Sequence, residues 1–228
     1  MQAMNKNRKL VIVGDSAFAE VAYEYFTYDS EYEVVAFSVE KDYLNKSSLF
    51  GIPVVTFESL EEIYNPREHE IFVAIVYTQL NRLRTRLCNQ AKDKGYRLAS
   101  YISSKAFVWR NVKLGEHCFI FENNVVQAFV QLGNNVILWS GNHIGHHSII
   151  QDNCFFSSHV VISGFVEVEK NCFFGVNSTI SNNLKIERDC WIGPNVTISK
   201  DTKVGEIYRI PHIEPAKLTT YRFFKLSD

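Results

Sequence analysis

The sequence predicts two domains: a small α/β domain with a Rossmann-like parallel sheet in residues 1–103, and a left-handed parallel β-helix in residues 104–228 that ends in a short tail. Two observations support this fold class. Strand and helix patterns alternate through the first domain, as they do in parallel sheets covered by helices. In the second domain a large apolar residue recurs at every sixth position, which is the period of the hexapeptide β-helix repeat.

The elements of the first domain follow from its apolar spacing. Residues 9–14 form an apolar run that ends in a glycine turn, and apolar residues from Phe18 to Phe26 then recur at helical spacing. Further strands are predicted over residues 33–39, 51–55, 70–76 and 97–102. Further helices are predicted from Thr56 or Glu58 to Tyr64 and over residues 79–94, where Lys94-Gly95 is a common signal for a helix end.

The hexapeptide register of the second domain runs without a break from Val108 to Val204. Four residues after each large residue lies a second position that is mostly small or β-branched, so each hexapeptide has one large and one small inward residue. Three hexapeptides make one triangular coil, and residues 18 apart therefore stack. Residues 108–204 supply a little over five coils, and each coil needs its neighbours to cover its apolar layer.

Composition and charge bound the class of protein. The chain has 228 residues, 46% hydrophobic residues and a formal net charge of −1, which gives no reason to expect nucleic acid as a partner. The N-terminus enters a strand pattern directly and no apolar run reaches membrane-spanning length, so we expect a cytoplasmic protein without a membrane partner. We expect all five cysteines to be packed thiols: Cys88 lies in a predicted helix, and four occupy the small inward position of the repeat, namely Cys118, Cys154, Cys172 and Cys190.

The turn after the first strand is the candidate phosphate site of the first domain. It opens a helix at Gly14, and helix N-termini can hold a phosphate through free N–H groups and the helix dipole. The turn has only the first glycine of the dinucleotide fingerprint G-x-G-x-x-G, and Asp15 adds a negative charge. We expect one nucleotide, held by this turn and by later strand ends near Ser38, Glu40 and Thr78. The alternative is an α/β lid that binds no ligand.

Four histidines cluster within the repeat: His143, His146, His147 and His159. His146 follows an inward residue by two positions and therefore lies near a corner of the coil, and Gly164 occupies the same corner one coil later. This pairing leaves room for a flat ligand and a free backbone N–H, and imidazole suits a general base near neutral pH. The γ-class carbonic anhydrases hold zinc with histidines on similar coils, but we expect no metal here because no acidic partner pattern accompanies the histidines.

The chain resembles the sialic acid O-acetyltransferase family of sugar acyltransferases. The resemblance lies in the domain order and in three stretches, Val11-Ile-Val-Gly-Asp-Ser-Ala-Phe, Ile144-Gly-His-His-Ser-Ile-Ile and Cys172-Phe-Phe-Gly-Val-Asn-Ser. That family includes the N-acetyltransferases of nucleotide-linked 4-amino-4,6-dideoxy sugars, as in the bacillosamine and viosamine pathways, and the chain resembles this branch. The resemblance implies a homotrimer, with acetyl-CoA lying along the coils in clefts between neighbouring β-helices.

The resemblance also assigns residue roles. It makes His146 the catalytic base and Gly164 the glycine whose N–H faces the thioester carbonyl. It assigns the pantetheine contacts to Val176, Asn177, Gly193, Pro194 and Asn195, and the nucleotide-binding turn to Gly14, Ser16, Ala17 and Phe18. Members of the family often carry Asp or Glu after the base, where this chain has His147. An orienting carboxylate would therefore come from elsewhere, such as Asp152, Glu122 or another subunit. Some relatives have a CoA-contacting histidine where this chain has Phe155.

The sequence thus predicts an acetyl-CoA-dependent N-acetyltransferase that acts on the amine of a UDP- or dTDP-linked amino-deoxy sugar, as in O-antigen biosynthesis. One alternative is an O-acetyltransferase that acts on a sugar hydroxyl, of the sialic acid type. Another is a non-catalytic β-helix scaffold. A sugar-nucleotide pyrophosphorylase would require a much larger first domain.

Overall fold

The computed structural model describes residues 5–226; residues 1–4 and 227–228, which the predicted domain ranges include, lie outside the described residues. The first domain consists of β1 Arg8–Val13, α1 Ala17–Tyr28, β2 Tyr32–Val39, β3 Ser48–Leu49, β4 Ile52–Thr56, α2 Leu60–Ile63, β5 His69–Val73, α3 Arg82–Asp93 and β6 Arg97–Leu98. Its strands form one sheet in the order β3-β4-β2-β1-β5-β6. All pairs are parallel except β3 with β4, a short antiparallel pair that the sequence analysis did not predict.

Two predicted elements of this domain differ from the structure. The strand expected over 70–76 ends at Val73, and the helix expected from 79 begins at Arg82. Gln79, Leu80 and Asn81 all have positive φ, so the chain makes a left-handed turn that a right-handed helix cannot include. The strand expected over 97–102 is two strands, because β6 ends at Leu98 and the next strand belongs to the β-helix.

The β-helix consists of two-residue strands that repeat every six residues: β7 Tyr101–Ile102, β8 Phe107–Val108, β9 Lys113–Leu114, β10 Phe119–Ile120, β11 Val125–Val126, β12 Gln131–Leu132, β13 Ile137–Leu138, β14 His143–Ile144, β15 Ile149–Ile150, β16 Phe155–Phe156, β17 Val161–Ile162, β18 Glu167–Val168, β19 Phe173–Phe174, β20 Thr179–Ile180, β21 Lys185–Ile186, β22 Trp191–Ile192, β23 Thr197–Ile198 and β24 Ile207–Tyr208. They form three parallel sheets. Wall 1 contains β7, β10, β13, β16, β19, β22 and β24; wall 2 contains β8, β11, β14, β17, β20 and β23; wall 3 contains β9, β12, β15, β18 and β21. The predicted hexapeptide β-helix is confirmed.

The interior of the prism is filled as the register predicts, except at its last coil. The second residue of each strand from β8 onward packs into the core, and the stack is tight enough that the Phe156 and Phe174 rings lie 4.4 Å apart and nearly parallel. The five cysteines are free and buried. Val204, predicted to be inward, is 49% exposed. The register ends there because Trp191 pairs with Ile207, only 16 residues on, so the last coil is shortened and Tyr208 packs against the core.

The corners of the coils impose a second period of six. The residue three positions after each inward large residue has φ between 57° and 77°, from His117 to Asn195. Asparagine fills half of these positions because its short polar side chain tolerates the left-handed region, which other side chains occupy rarely. The exceptions include Phe129, His147 and Phe165, which stack at one edge of the prism.

The first domain packs against wall 1 through aromatic rings. Phe18 and Phe26 of α1 and Phe72 of β5 meet Phe119 of β10, with ring centroids 5.0–5.7 Å apart. In a three-walled prism, the edge between walls 2 and 3 is opposite wall 1. That edge therefore lies on the far side of the β-helix from the first domain of the same chain. None of the helices within residues 5–226 has the length and apolar character needed to cross a membrane.

Candidate active site

His146 lies on the edge between walls 2 and 3, directly against Gly164. Its backbone N–H donates to Gln127 Oε1 at 2.9 Å, which fixes the main chain, while the residue is exposed. A Cβ on Gly164 would lie only 2.8 Å from His146 Cε1 and 2.9 Å from Nε2. The imidazole therefore occupies the space that any other residue at 164 would fill. Among the hydrogen bonds of residues 5–226, none is donated by the Gly164 N–H.

His147 is the polar neighbour of His146 at this corner. The two Nδ1 atoms lie 3.1 Å apart, within hydrogen-bond distance. The His147 ring is stacked between Phe129 and Phe165, with centroids at 4.6 Å and 4.8 Å and interplanar angles of 25° and 14°. Both phenylalanines are more than half exposed, so an aromatic column stands beside the imidazole at the surface.

The carboxylates considered as partners of His146 are bonded elsewhere. Glu122 accepts hydrogen bonds from Tyr25 at 2.7 Å and from Ser140 at 2.6 Å. Asp152 Oδ1 accepts from the Asn134 N–H at 2.6 Å. Neither is hydrogen-bonded to His146 in the part of the chain that the structure describes.

The other two clustered histidines lie apart from this corner. His159 stands on the edge between walls 1 and 2, where its ring covers Gly141: a Cβ there would lie 2.6 Å from the ring. His143 is half-buried at the outward position of β14 in wall 2. Within residues 5–226, no group of three or more His, Cys, Asp or Glu side chains is arranged to hold a metal ion.

The residues assigned to pantetheine also lie on the edge between walls 1 and 2. Val176 and Pro194 are exposed and stack one coil apart, and the Asn195 N–H donates to Val176 O at 2.9 Å. Asn177 belongs to the same corner, with a φ of 58°. Gly193 is buried under the last strand, where a Cβ would meet Tyr208 O at 2.8 Å. Within one chain these residues and His146 therefore occupy two different edges of the prism.

At the glycine turn of the first domain, the backbone of Gly14 lies close to the backbone of Ala74. Gly14 has φ 118°, and a Cβ there would lie 3.0 Å from Ala74 O. Its N–H donates to Ser38 O at 2.7 Å, so the ends of β1, β2 and β5 converge at this turn. Ser16 and Ala17 are exposed at the start of α1, where free N–H groups can meet an anion.

The remaining residues predicted around the turn differ in accessibility. The ring of Phe18 is buried against Phe72 and Phe119, so this residue can reach a ligand only through its backbone. Ser38 is fully buried. The hydrogen bonds from Arg86 to Glu40, at 2.8 Å and 2.9 Å, hold the pKa of that carboxyl below its ordinary value. Thr78 is exposed on the loop after β5.

Lys46 is a cation at the turn that sequence reasoning missed. Its Nζ lies 3.1 Å from both the carboxylate and the carbonyl oxygen of Asp15. The charge that Asp15 brings to the turn is therefore offset, and Lys46 remains 36% exposed. No sequence signal marks this lysine, because it comes from the segment between β2 and β3 and meets the turn only in the folded domain.

Comparisons with known proteins place this geometry in a known fold. The family model described as the hexapeptide repeat of succinyl-transferase matches residues 165–200. A mutant of perosamine N-acetyltransferase from Caulobacter crescentus, solved with CoA and GDP-perosamine, has 24% identity and a TM-score of 0.78 over 87% of this chain and 92% of its own. The acetyltransferase domain of PglB from Neisseria gonorrhoeae has 22% identity and a TM-score of 0.76 over 88% and 96%. WeeI from Acinetobacter baumannii has 17% identity and a TM-score of 0.75 over 88% and 95%.

The chain has the fold of these acetyltransferases. The likeness spans both domains, since it covers most of each chain, and it fits the left-handed form of the parallel β-helix. A comparison with curated protein sequences found no match.

A buried polar network joins the loop after β5 to the β-helix, and sequence reasoning missed it. Arg84 is fully buried and donates to Val76 O at 2.6 Å and to Asn135 Oδ1 at 2.7 Å. His117 Nδ1 lies 2.8 Å from the same Asn135 oxygen, and its Nε2 accepts the Val73 N–H. Burial, together with the charge of Arg84, lowers the pKa of His117 to about 3. The network fixes the carboxyl end of β5, beside the glycine turn, on wall 1.

Proposed function

We propose that the protein is an acetyl-CoA-dependent N-acetyltransferase that acts on the amine of a nucleotide-linked amino-deoxy sugar. The observation that carries the proposal is the imidazole of His146 against the bare Cα of Gly164, at an exposed corner of a β-helix. The fold supports it, because structures of this fold include a sugar N-acetyltransferase solved with CoA and a nucleotide-linked sugar. A 4-amino-4,6-dideoxyhexose for surface-glycan biosynthesis is the acceptor that the sequence resemblance favours, and a cytoplasmic reaction fits acetyl-CoA as the donor.

The proposed chemistry is a direct transfer. The neutral sugar amine attacks the thioester carbon, so a C–N bond forms as the C–S bond breaks and CoA leaves as a thiolate. His146 accepts the proton that the nitrogen loses and passes it to the leaving thiolate or to solvent. The Gly164 N–H, free of any acceptor among the described residues, donates to the developing oxyanion. Holding both reactants in one cleft supplies much of the rate, because the reaction becomes effectively unimolecular.

The positions of the three groups favour a site shared between two copies of the chain. The glycine turn is in the domain packed on wall 1, and the residues assigned to CoA lie on the edge between walls 1 and 2. His146 and Gly164 lie on the edge between walls 2 and 3, on the opposite side of the prism. An acceptor held on the first domain of one protomer therefore reaches His146 of another, and we propose the homotrimer that closes such contacts by cyclic symmetry.

For the acceptor, the glycine turn is proposed to hold the diphosphate. Backbone N–H groups at Ser16 and Ala17 open α1, and the Lys46 ammonium supplies a positive charge at the same turn. The resemblance favours uridine or thymidine as the base, whereas a neighbouring structure was solved with GDP-perosamine. A panel of UDP-, dTDP- and GDP-linked amino sugars, incubated with acetyl-CoA and read by mass spectrometry, tests the proposal. A mass gain of one acetyl group on an amino sugar supports it; no gain on any member contradicts it.

O-acetylation is the second candidate, because His146 is a base of the kind that a weakly nucleophilic hydroxyl needs. The variant His146→Ala separates the two. With an amine acceptor the loss of rate should shrink at higher pH, since a larger fraction of the amine is neutral. With a hydroxyl acceptor no such recovery is expected. A scaffold without catalysis predicts no acetyl-CoA binding in calorimetry at millimolar ligand.

A further inference from the structure

The partner of His146 in this chain is another imidazole. The Nδ1 atoms of His146 and His147 lie 3.1 Å apart. Two nitrogens at this distance share one proton, so one ring donates N–H and the other accepts with its lone pair. The direction of this hydrogen bond also determines the state of the other nitrogen of His146, the Nε2 that lies beside Gly164. That nitrogen has a free lone pair if His146 donates from Nδ1, and it carries the proton if His147 donates.

We propose that His147 is a positioning residue: its Nδ1 accepts a hydrogen bond from the Nδ1–H of His146, so that the lone pair of His146 Nε2 faces the reacting amine. The inference rests on the proposed function. If His147 donated instead, His146 would carry its proton on Nε2 and could not accept another there. The Gly164 N–H, which donates to no acceptor among the described residues, belongs to the same corner, so a lone pair on Nε2 gives this corner an acceptor as well as a donor.

The surroundings of His147 hold its ring in place for this role. Phe129 and Phe165 stack on its two faces at 4.6 Å and 4.8 Å, which leaves the ring little freedom to turn. All three residues have left-handed φ values of 66°, 61° and 59°, at corner positions of which half are asparagine in this chain. Phenylalanine is uncommon in that region, and such strain often accompanies functional sites. The aromatic column thus fixes the imidazole between its two rings.

The chain offers two variants that separate the hydrogen bond from the stack. His147→Phe removes the acceptor and keeps an aromatic ring, and Phe129 and Phe165 show that phenylalanine is tolerated at this corner position. His147→Asn removes the stack but keeps an acceptor oxygen, and asparagine is the usual corner residue, as at Asn183. We expect His147→Phe to lower kcat about 10- to 100-fold with little change in KM for either substrate. We expect His147→Asn to recover part of that loss.

A spectroscopic measurement tests the same inference without turnover. In protein labelled with ¹⁵N in its histidine rings, and assigned with His146→Gln, the neutral His146 ring should carry its proton on Nδ1. His147→Phe should abolish that preference while circular dichroism and the oligomeric state stay unchanged. A wild-type His146 protonated on Nε2, or a His147→Phe variant with unchanged kcat, overturns the inference. Should the wild type acetylate no acceptor, the proposed function fails, and the ring tautomer still decides the role of His147.

Discussion

Replacing Gly164 with alanine tests whether the close approach at this corner serves chemistry. The added Cβ would stand 2.8 Å from His146 Cε1 and 2.9 Å from Nε2, whereas ordinary contact begins at 3.4 Å. The imidazole must retreat by roughly 0.6 Å or rotate away, and a displacement of about 1 Å at a reacting group can cost 10²-fold. Gly164 does not have positive φ, so alanine adds no backbone strain. We expect kcat/KM to fall about 10- to 100-fold while the free energy of unfolding changes by less than about 0.5 kcal/mol.

The matched control is Gly115→Ala, on the edge between walls 3 and 1 and away from His146. There the added Cβ would lie 2.5 Å from the Gly133 carbonyl carbon and 2.6 Å from the Asn134 nitrogen, both backbone atoms that cannot turn aside. We expect this variant to lose about 1–3 kcal/mol of stability. Steady-state kinetics with the acetylated sugar as product, together with urea unfolding of both variants, separates the two effects. A Gly164→Ala enzyme with wild-type kcat/KM would refute the assignment of this corner as the reaction site.

Three further predictions concern stability and the nucleotide turn. The pKa of His117, lowered to about 3 in the folded protein from an ordinary value of 6.5, means that below pH 6.5 the unfolded chain binds a proton that the folded protein does not. As the pH falls from 6.5 toward 3, this group should therefore lower the free energy of unfolding by up to about 1.4 kcal/mol per pH unit. In urea unfolding, the free energy of His117→Asn should depend less steeply on pH over the same range. Lys46→Gln should raise KM for the nucleotide sugar several-fold and leave KM for acetyl-CoA unchanged; equal rises in both would contradict its placement. Ile162→Ala should cost about 2–5 kcal/mol of stability and Val204→Ala less than about 0.5, and a similar loss in both would contradict the end of the register.

The repeat could be predicted from the sequence because each coil repeats one local rule. An inward position such as Ile162 needs a large apolar side chain whatever the rest of the chain does, so the period of six is visible residue by residue. The prediction that Val204 points inward was wrong, although its apolar side chain fits the period of six. The last coil is two residues shorter than the others, so Val204 no longer lies at an inward position. The strand end at Val73 and the left-handed turn before Arg82 depend on contacts with wall 1, which local propensity does not contain.

The site was predictable only in part, for a geometric reason. Register arithmetic alone places Gly164 on the same corner as His146, and the structure shows that contact. Register does not reveal which wall carries the first domain, so the position of His146 on the side of the prism opposite the nucleotide turn required the structure. Lys46 and Arg84 reach their partners across long sequence separations, and nothing in their local sequence marks them.

The central claim is that the site is shared between copies, with the nucleotide turn from one and His146 from another. Mixing two impaired variants tests it most directly: His146→Ala, which keeps the turn, and Lys46→Glu, which keeps the base. After co-refolding or subunit exchange, some clefts of the mixed oligomers should combine Lys46 from one variant with His146 from the other. Acetyltransferase activity should then rise well above that of either variant alone. A mixture no more active than its two components, in oligomers shown to be mixed, would contradict a shared site.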